Sequence, residues 1–225
     1  MKKWAKNTQR DHIIVYHNDE SGSVDEKDYI NKLTSDVRVV SIVHTSPVTG
    51  MTVDLEKIAK EVRNVARDCI IIVDGIQHSS HGAIDFQKYD IDGYVVSPYK
   101  MFSRHGYGVA WASDRLCTLN KEQLVDGPSQ NWELGTRDAG SYATFSDVVD
   151  YLDWLGSNFT ESENTRERLE ASSLAIKSHE QELVSLVLNG TEDITGLRNN
   201  KKIQIIGTSD SKFREGVVSF FQRNK

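Results

Sequence analysis

Residues 69–109 read CIIIVDGIQHSSHGAIDFQKYDIDGYVVSPYKMFSRHGYGV. The run 69–73 is short, unbroken and apolar, the pattern of a strand buried on both faces of a sheet. It delivers Asp74 and Gln77 into the loop at its carboxyl end. A second short apolar run, 93–96, reads as another strand and delivers Ser97, Tyr99 and Lys100 in the same way. Open α/β sheets bind ligands beyond the carboxyl ends of their parallel strands. The two loops are therefore expected to open on one crevice, with a carboxylate on one and an amine on the other.

Taken singly, these residues say little. An Asp that ends a strand is more often a cap or turn residue, and a lone Lys is more often a solvated surface charge. The run IIIVD resembles half of a nucleotide-binding pattern, but no GxxxxGK[ST] occurs in the chain. Together they suit pyridoxal phosphate. A lysine amine forms a Schiff base with the aldehyde of that cofactor, and a carboxylate beside the pyridine nitrogen keeps the ring an electron sink. Hydroxyls and backbone N–H groups must also take the phosphate, and Ser97 and Tyr99 flank Lys100.

The runs VDGIQ (73–77), HGAIDFQKYDIDGYVVSPYKMF (81–102) and GYGVAW (106–111) resemble the core of the class V aminotransferase family of fold type I enzymes, which includes cysteine desulfurases, kynureninase and isopenicillin N epimerase. The resemblance implies an α/β fold: part of the large pyridoxal-phosphate domain, with a mainly parallel sheet, and the start of a smaller α+β C-terminal domain. It also implies the cofactor pyridoxal 5'-phosphate, a small amino-acid substrate and a homodimer. Lys100 is then the Schiff-base lysine, Asp74 the partner of the pyridine nitrogen, Gln77 a donor to the phenolic oxygen and Ser97 a phosphate ligand. Tyr99 stands in the cofactor site where desulfurases carry His. The Gly135–Thr136 step matches one that reaches across the dimer to the partner's phosphate, which makes Thr136 an inter-subunit ligand. Arg137 replaces a Pro common in desulfurases, and Pro47, in the loop TSPVTG (45–50), replaces an Asn.

Outside this core the chain reads as ordinary globular protein: 225 residues, 38% hydrophobic, 27% charged, net charge −6. An acidic balance without a basic run disfavours a nucleic-acid surface. Cys69 and Cys117 match no metal spacing and suit buried thiols in a reducing compartment. The N-terminal stretch MKKWAKNTQRDH is basic but is followed by no apolar segment. The expectation is thus a cytoplasmic protein without signal peptide or membrane span.

In chain order, 13–16 is a strand candidate, 25–33 a weak helix and 37–44 (VRVVSIVH) a buried strand. His44 is expected to be structural, satisfied by a backbone partner. Thr52 or Asp54 can cap a helix whose Leu55, Ile58, Ala59 and Val62 recur at helical spacing. Strand, helix and strand then form the crossover unit of a parallel sheet. His78 and His81 are possible metal ligands by spacing, but no third cluster accompanies them, so no metal is expected. Asp85, Asp90 and Asp92 read as caps and surface charges. Ser141 can cap a helix bearing Phe145, Val148, Val149, Leu152 and Leu155. TESE (160–163) reads as a capping box opening a long helix to about Leu188, with Leu183, Leu186 and Val187 on one side. KKIQIIG (201–207) and GVVSFF (216–221) are strand candidates.

The expected division is 1–160 for the partial large domain and 161–225 for the linking helix and the start of the small one. The resemblance covers a middle portion of the family pattern. The phosphate-cradling Gly-Thr helix start, the ring-stacking residue, the substrate-carboxylate Arg and the desulfurase nucleophilic Cys have no counterpart here, so both ends look cut. Two functions remain open: a pyridoxal-phosphate enzyme acting on a small amino acid (aminotransferase, lyase or desulfurase, or epimerase), or a catalytically inactive remnant or partner-binding fragment of one. With an early strand-helix portion of the large domain missing, uncovered sheet edges and apolar helix faces are expected.

Overall fold

The structure is a computed structural model, and it describes the chain apart from residues 20, 129, 130, 137, 209, 211–213 and 223–225. Two short helices, α1 (Lys2–Asn7) and α2 (Glu26–Ile30), precede the first strand. Strand β1 (Val39–Val43) leads through helix α3 (Leu55–Val65) to β2 (Ile70–Asp74). After the short helix α4 (Phe86–Tyr89) come β3 (Gly93–Val96) and β4 (Val109–Ala112), and then the one-turn helix α5 (Asp114–Cys117). The four strands form one sheet in the order β1-β2-β3-β4. The first three are parallel, and β4 runs antiparallel to β3 with Val96 opposite Val109.

The sheet forms because its inward residues leave no alternative. Ile42, Ile71 and Val73 are fully buried and Tyr94 nearly so. Against them lies the apolar face of α3, where Leu55, Ile58, Ala59 and Val62 are likewise buried. Each such large side chain contributes roughly 1.5–3 kcal/mol by leaving water. The helix starts at Asp54, whose Oδ1 accepts the Lys57 N–H at 3.0 Å. Thr52 does not cap it and instead shares a 3.0 Å hydroxyl contact with Thr45.

Helices α6 (Ala139–Gly156) and α7 (Thr165–Asn189) follow, then a two-stranded antiparallel sheet of β5 (Ile203–Ile205) and β6 (Phe220–Gln222). Among the described residues no helix is long and apolar enough to cross a membrane.

Several sequence expectations are corrected. Residues 13–16 are not a strand: among the described residues 12–16 make no backbone hydrogen bond, Ile13 and Ile14 are exposed, and only Val15 packs on the core. A strand without a ladder partner has no reason to persist. Helix α6 is capped by Asp138, which accepts from Ser141 N at 3.2 Å and Ser141 Oγ at 2.8 Å, so Ser141 lies inside the first turn. Residues 160–163 do not open α7. Thr160 and Ser162 spend their hydroxyls on the backbone N–H groups of Ser162 and Asn164, and Asn164 is the cap. Leu183, Leu186 and Val187 are exposed, while Val184 and Leu188 are the buried pair of that turn. Of the run 216–221 only the last residues enter β6; Ser219 lends its hydroxyl to Val48 O instead. Asp92 is no surface charge. It is completely buried, accepting from Ile71 N at 2.8 Å and Arg63 Nη2 at 2.7 Å, with Arg115 Nε at 2.9 Å.

Candidate functional site

The site grows from the ends of β2 and β3. Asp74 sits opposite Val95 in the parallel register, and Gly75 N extends the ladder by donating to Val95 O at 2.9 Å. The two following loops therefore leave the sheet side by side. Gly75 is needed there because a Cβ would lie 1.9 Å from the buried Tyr94 ring. The first loop tightens into a 3₁₀ turn at His78–Ser80 and the second into one at Pro98–Lys100.

Asp74 folds one oxygen back to accept Ile76 N–H at 3.1 Å, and its other oxygen makes no hydrogen bond among the described residues. Lys100 Nζ donates to Gln77 Oε1 at 2.8 Å, which joins the two loops. Gln77 Nε2 meets His81 Nε2 at 2.9 Å, and His81 Nδ1 donates to the Glu180 carboxylate on α7 at 2.7 Å. Burial pulls the His81 pKa down, but the hydrogen bond and charge of Glu180, helped by Glu215, outweigh it and hold the pKa above the ordinary value. Ser97 is half-buried at the head of the second turn, and its hydroxyl is unengaged among the described residues. Tyr99 is exposed and stacks on His105, with ring centroids 4.3 Å apart.

Thr136 stands exposed in the loop ahead of α6 and makes no hydrogen bond to this group. Arg137 lies outside the described residues. The structure thus brings Asp74, Gln77, Ser97, Tyr99 and Lys100 to one pair of neighbouring loops, and among the described residues Thr136 shares no hydrogen bond with them.

Beneath the loops lies a buried polar layer. His44 is satisfied by a side chain rather than by backbone: its Nδ1 meets Tyr94 Oη at 2.8 Å, and its ring lies 3.7 Å from that of His78. Burial, with positive charge at His78 and Lys177 adding to it, lowers the His44 pKa to about 2, so the ring stays neutral. His78 Nδ1 donates to Glu215 Oε1 at 2.5 Å, and Thr52 Oγ1 donates to the same oxygen at 3.0 Å. Gly82 makes room for that ring, since a Cβ would come within 2.6 Å of His78 Cε1. The two histidines that had metal-like spacing are thus each taken by a carboxylate. Arg214, almost wholly buried, donates to Thr49 O at 2.6 Å and fixes the neighbouring segment on the loop after β1.

Sequence reasoning missed Glu180, Arg214 and Glu215. Glu180 is 99 residues from His81 and Glu215 is 137 residues from His78, so no local pattern marks them.

The family model for aminotransferase class-V matches residues 2–224. A probable cysteine desulfurase of Aeropyrum pernix is 35% identical over 212 residues, covering 86% of this chain and 46% of the relative. A cysteine desulfurase of Wigglesworthia glossinidia brevipalpis is 33% identical over 96 residues, 43% of this chain and 23% of that protein. The chain therefore spans about half the length of the fuller match. Among solved structures, the apo cysteine desulfurase of Thermococcus onnurineus superposes with a TM-score of 0.73 at 20% identity, over 98% of this chain and 52% of that one. Escherichia coli cysteine desulfurase CsdA gives 0.72 at 19% identity, over 98% and 52%. The fold is thus fold type I, that of the pyridoxal-phosphate-dependent transferases, and by sequence the chain belongs to the class V aminotransferase family.

Proposed function

We propose that the chain holds pyridoxal phosphate on Lys100 and acts on a small amino acid. The observation that carries this reading is the Lys100 Nζ to Gln77 Oε1 contact of 2.8 Å, which joins the loop after β3 to the loop that begins at Asp74. The donor set fits the cofactor. Asp74 keeps one carboxylate oxygen for a protonated ring nitrogen, Gln77 offers an amide beside the amine, and the Ser97 hydroxyl is available to a phosphate.

When bound, the cofactor supplies an electron sink for charge developing at the substrate's α-carbon. The chain's own part is to place and protonate. Lys100 Nζ is the base that takes a proton from that carbon and returns one to it. Asp74 holds the ring-nitrogen proton, and Gln77 orients the amine. The exposed Thr136 suits a phosphate ligand given to a second copy, so the working unit on this reading is a homodimer. Because the matched relatives are named cysteine desulfurases, cysteine is the first substrate to try, with transamination, elimination and epimerisation all assayed.

The test is the visible spectrum of purified protein mixed with pyridoxal phosphate, beside Lys100→Ala. A band at roughly 410–430 nm that the substitution abolishes supports the reading. Borohydride reduction should then leave the cofactor's mass on the Lys100 peptide. A second reading, an inactive remnant or partner-binding piece, is favoured by the large apolar side chains Phe102, Tyr151 and Trp154 that stand exposed on the chain. It prevails if no band forms, or if an equal band forms without Lys100.

A further inference from the structure

Lys100 is one end of a hydrogen-bonded line of side chains that runs through Gln77 and His81 to Glu180 on α7. The far half of this line is sheltered: the His81 side chain is 13% exposed and that of Glu180 25%. We propose that His81, anchored by Glu180, is a positioning residue that sets, through the Gln77 amide, whether Lys100 Nζ faces an acceptor or a donor. The purpose of this device rests on the reading of Lys100 as the cofactor-bearing amine, but its geometry does not.

The proton on His81 Nε2 decides which way the Gln77 amide faces. With His81 Nδ1–H given to the carboxylate of Glu180, a neutral ring leaves Nε2 as an acceptor, and the amide nitrogen of Gln77 donates to it. Gln77 Oε1 then faces Lys100 Nζ and stabilises an ammonium. A proton added at His81 Nε2 turns that atom into a donor facing another donor. The amide resolves the conflict only by turning over, which puts Oε1 on the imidazolium and the amide N–H groups on Lys100. An ammonium cannot accept from them, so the free amine is favoured, and the free amine is the nucleophilic form.

The groups facing His81 make this proton change accessible. Glu180 from α7 and Glu215 from the segment after β5 favour the imidazolium, while burial and the Lys100 charge oppose it. His78 takes up Glu215 from the other side and tempers its effect. A surface histidine paired with a glutamate for stability alone would transmit nothing to Lys100. This one does so because Gln77 touches both groups, the His81 ring with its amide nitrogen and the Lys100 amine with its amide oxygen.

The experiment uses the full chain without cofactor. Lysine amines are labelled competitively with trace acetic anhydride across neutral pH, the Lys100 peptide is read by mass spectrometry, and the His81 imidazole is titrated by NMR. The expected result is a step in Lys100 reactivity whose midpoint coincides with the His81 titration, with about tenfold more reactive amine on the acid side once ordinary amine ionisation is divided out. Glu180→Gln should move both midpoints to lower pH together. Gln77→Leu, or Gln77→Met where the first variant folds poorly, should keep the His81 titration and remove the step. A Lys100 profile with no step in the unaltered chain overturns the proposal, as does a step that survives loss of the Gln77 amide. A step without the cofactor band leaves the device standing and sinks the cofactor reading. The band without a step does the reverse.

Discussion

His44 and His81 are sheltered imidazoles on neighbouring loops, and their surroundings push their pKa values apart. For His44 the folded value of about 2 lies below the ordinary 6.5, so the unfolded chain binds the proton first. Its neutral burial stabilises the fold above pH 6.5, and this is lost as the pH falls below that value, by roughly 1–2 kcal/mol down to about pH 5. His81 has the opposite sign. Its raised pKa makes the Glu180 pair fully stabilising below 6.5, and that stabilisation is lost as pH rises through the folded value. Urea midpoints measured across this range should therefore show an acid limb that flattens in His44→Gln and an alkaline limb that flattens in His81→Asn. If neither limb responds, the two rings are not held as described. At this scale the placement of the candidate residues was half legible. That Asp74, Gln77, Ser97, Tyr99 and Lys100 lie at the ends of two neighbouring strands could be read, because each follows an apolar run that must be a strand. Glu180 and Glu215 could not, because their partners lie in distant parts of the chain.

At the scale of elements, periodicity served where one face is buried and failed where hydrogen bonds decide. The spacing of Leu55, Ile58, Ala59 and Val62 located α3, and the unbroken run 69–73 located β2. The starts of α6 and α7 were misplaced because several Ser, Thr, Asn and Asp side chains compete to cap them, and only tertiary position selects Asp138 and Asn164. The largest error was Asp92, read as a surface charge but buried at the β3 entrance between Arg63 and Arg115. Removing one member of a buried, hydrogen-bonded ion group leaves the others unpaired. Asp92→Ala should therefore cost roughly 3–5 kcal/mol in denaturant unfolding. Asp90, two-thirds exposed, meets the same Arg63 at 3.4 Å, yet Asp90→Asn, which keeps a side chain suited to its left-handed backbone, should cost about 1 kcal/mol or less. Equal losses for the two variants would contradict the burial assigned to Asp92.

At the scale of the whole molecule, the described surface carries large apolar side chains that a single copy leaves open. Phe102, Tyr151 and Trp154 form a run of ring contacts at 6.1 and 5.8 Å and are each between 46% and 62% exposed. The sequence anticipated uncovered apolar faces but could not say which, since the patch joins a loop to α6. The proposed homodimer gives both this surface and Thr136 a role, and it can be tested by mixing two defective chains. Thr136→Ala alone should weaken retention of pyridoxal phosphate by about tenfold or more, the worth of one hydrogen bond to a charged group. Lys100→Ala alone should give no lysine-bound band. In a mixed dimer one site combines Lys100 from the first variant with Thr136 from the second. Unfolding and refolding the two together should restore a fraction of sites with the affinity of the unaltered protein, read as a tight phase in a titration followed at the visible band. A tight phase in the mixture and in neither parent requires Thr136 to act across the interface. If the mixture only averages its parents, Thr136 is a loop residue of its own chain, and the case for an inter-subunit site is lost.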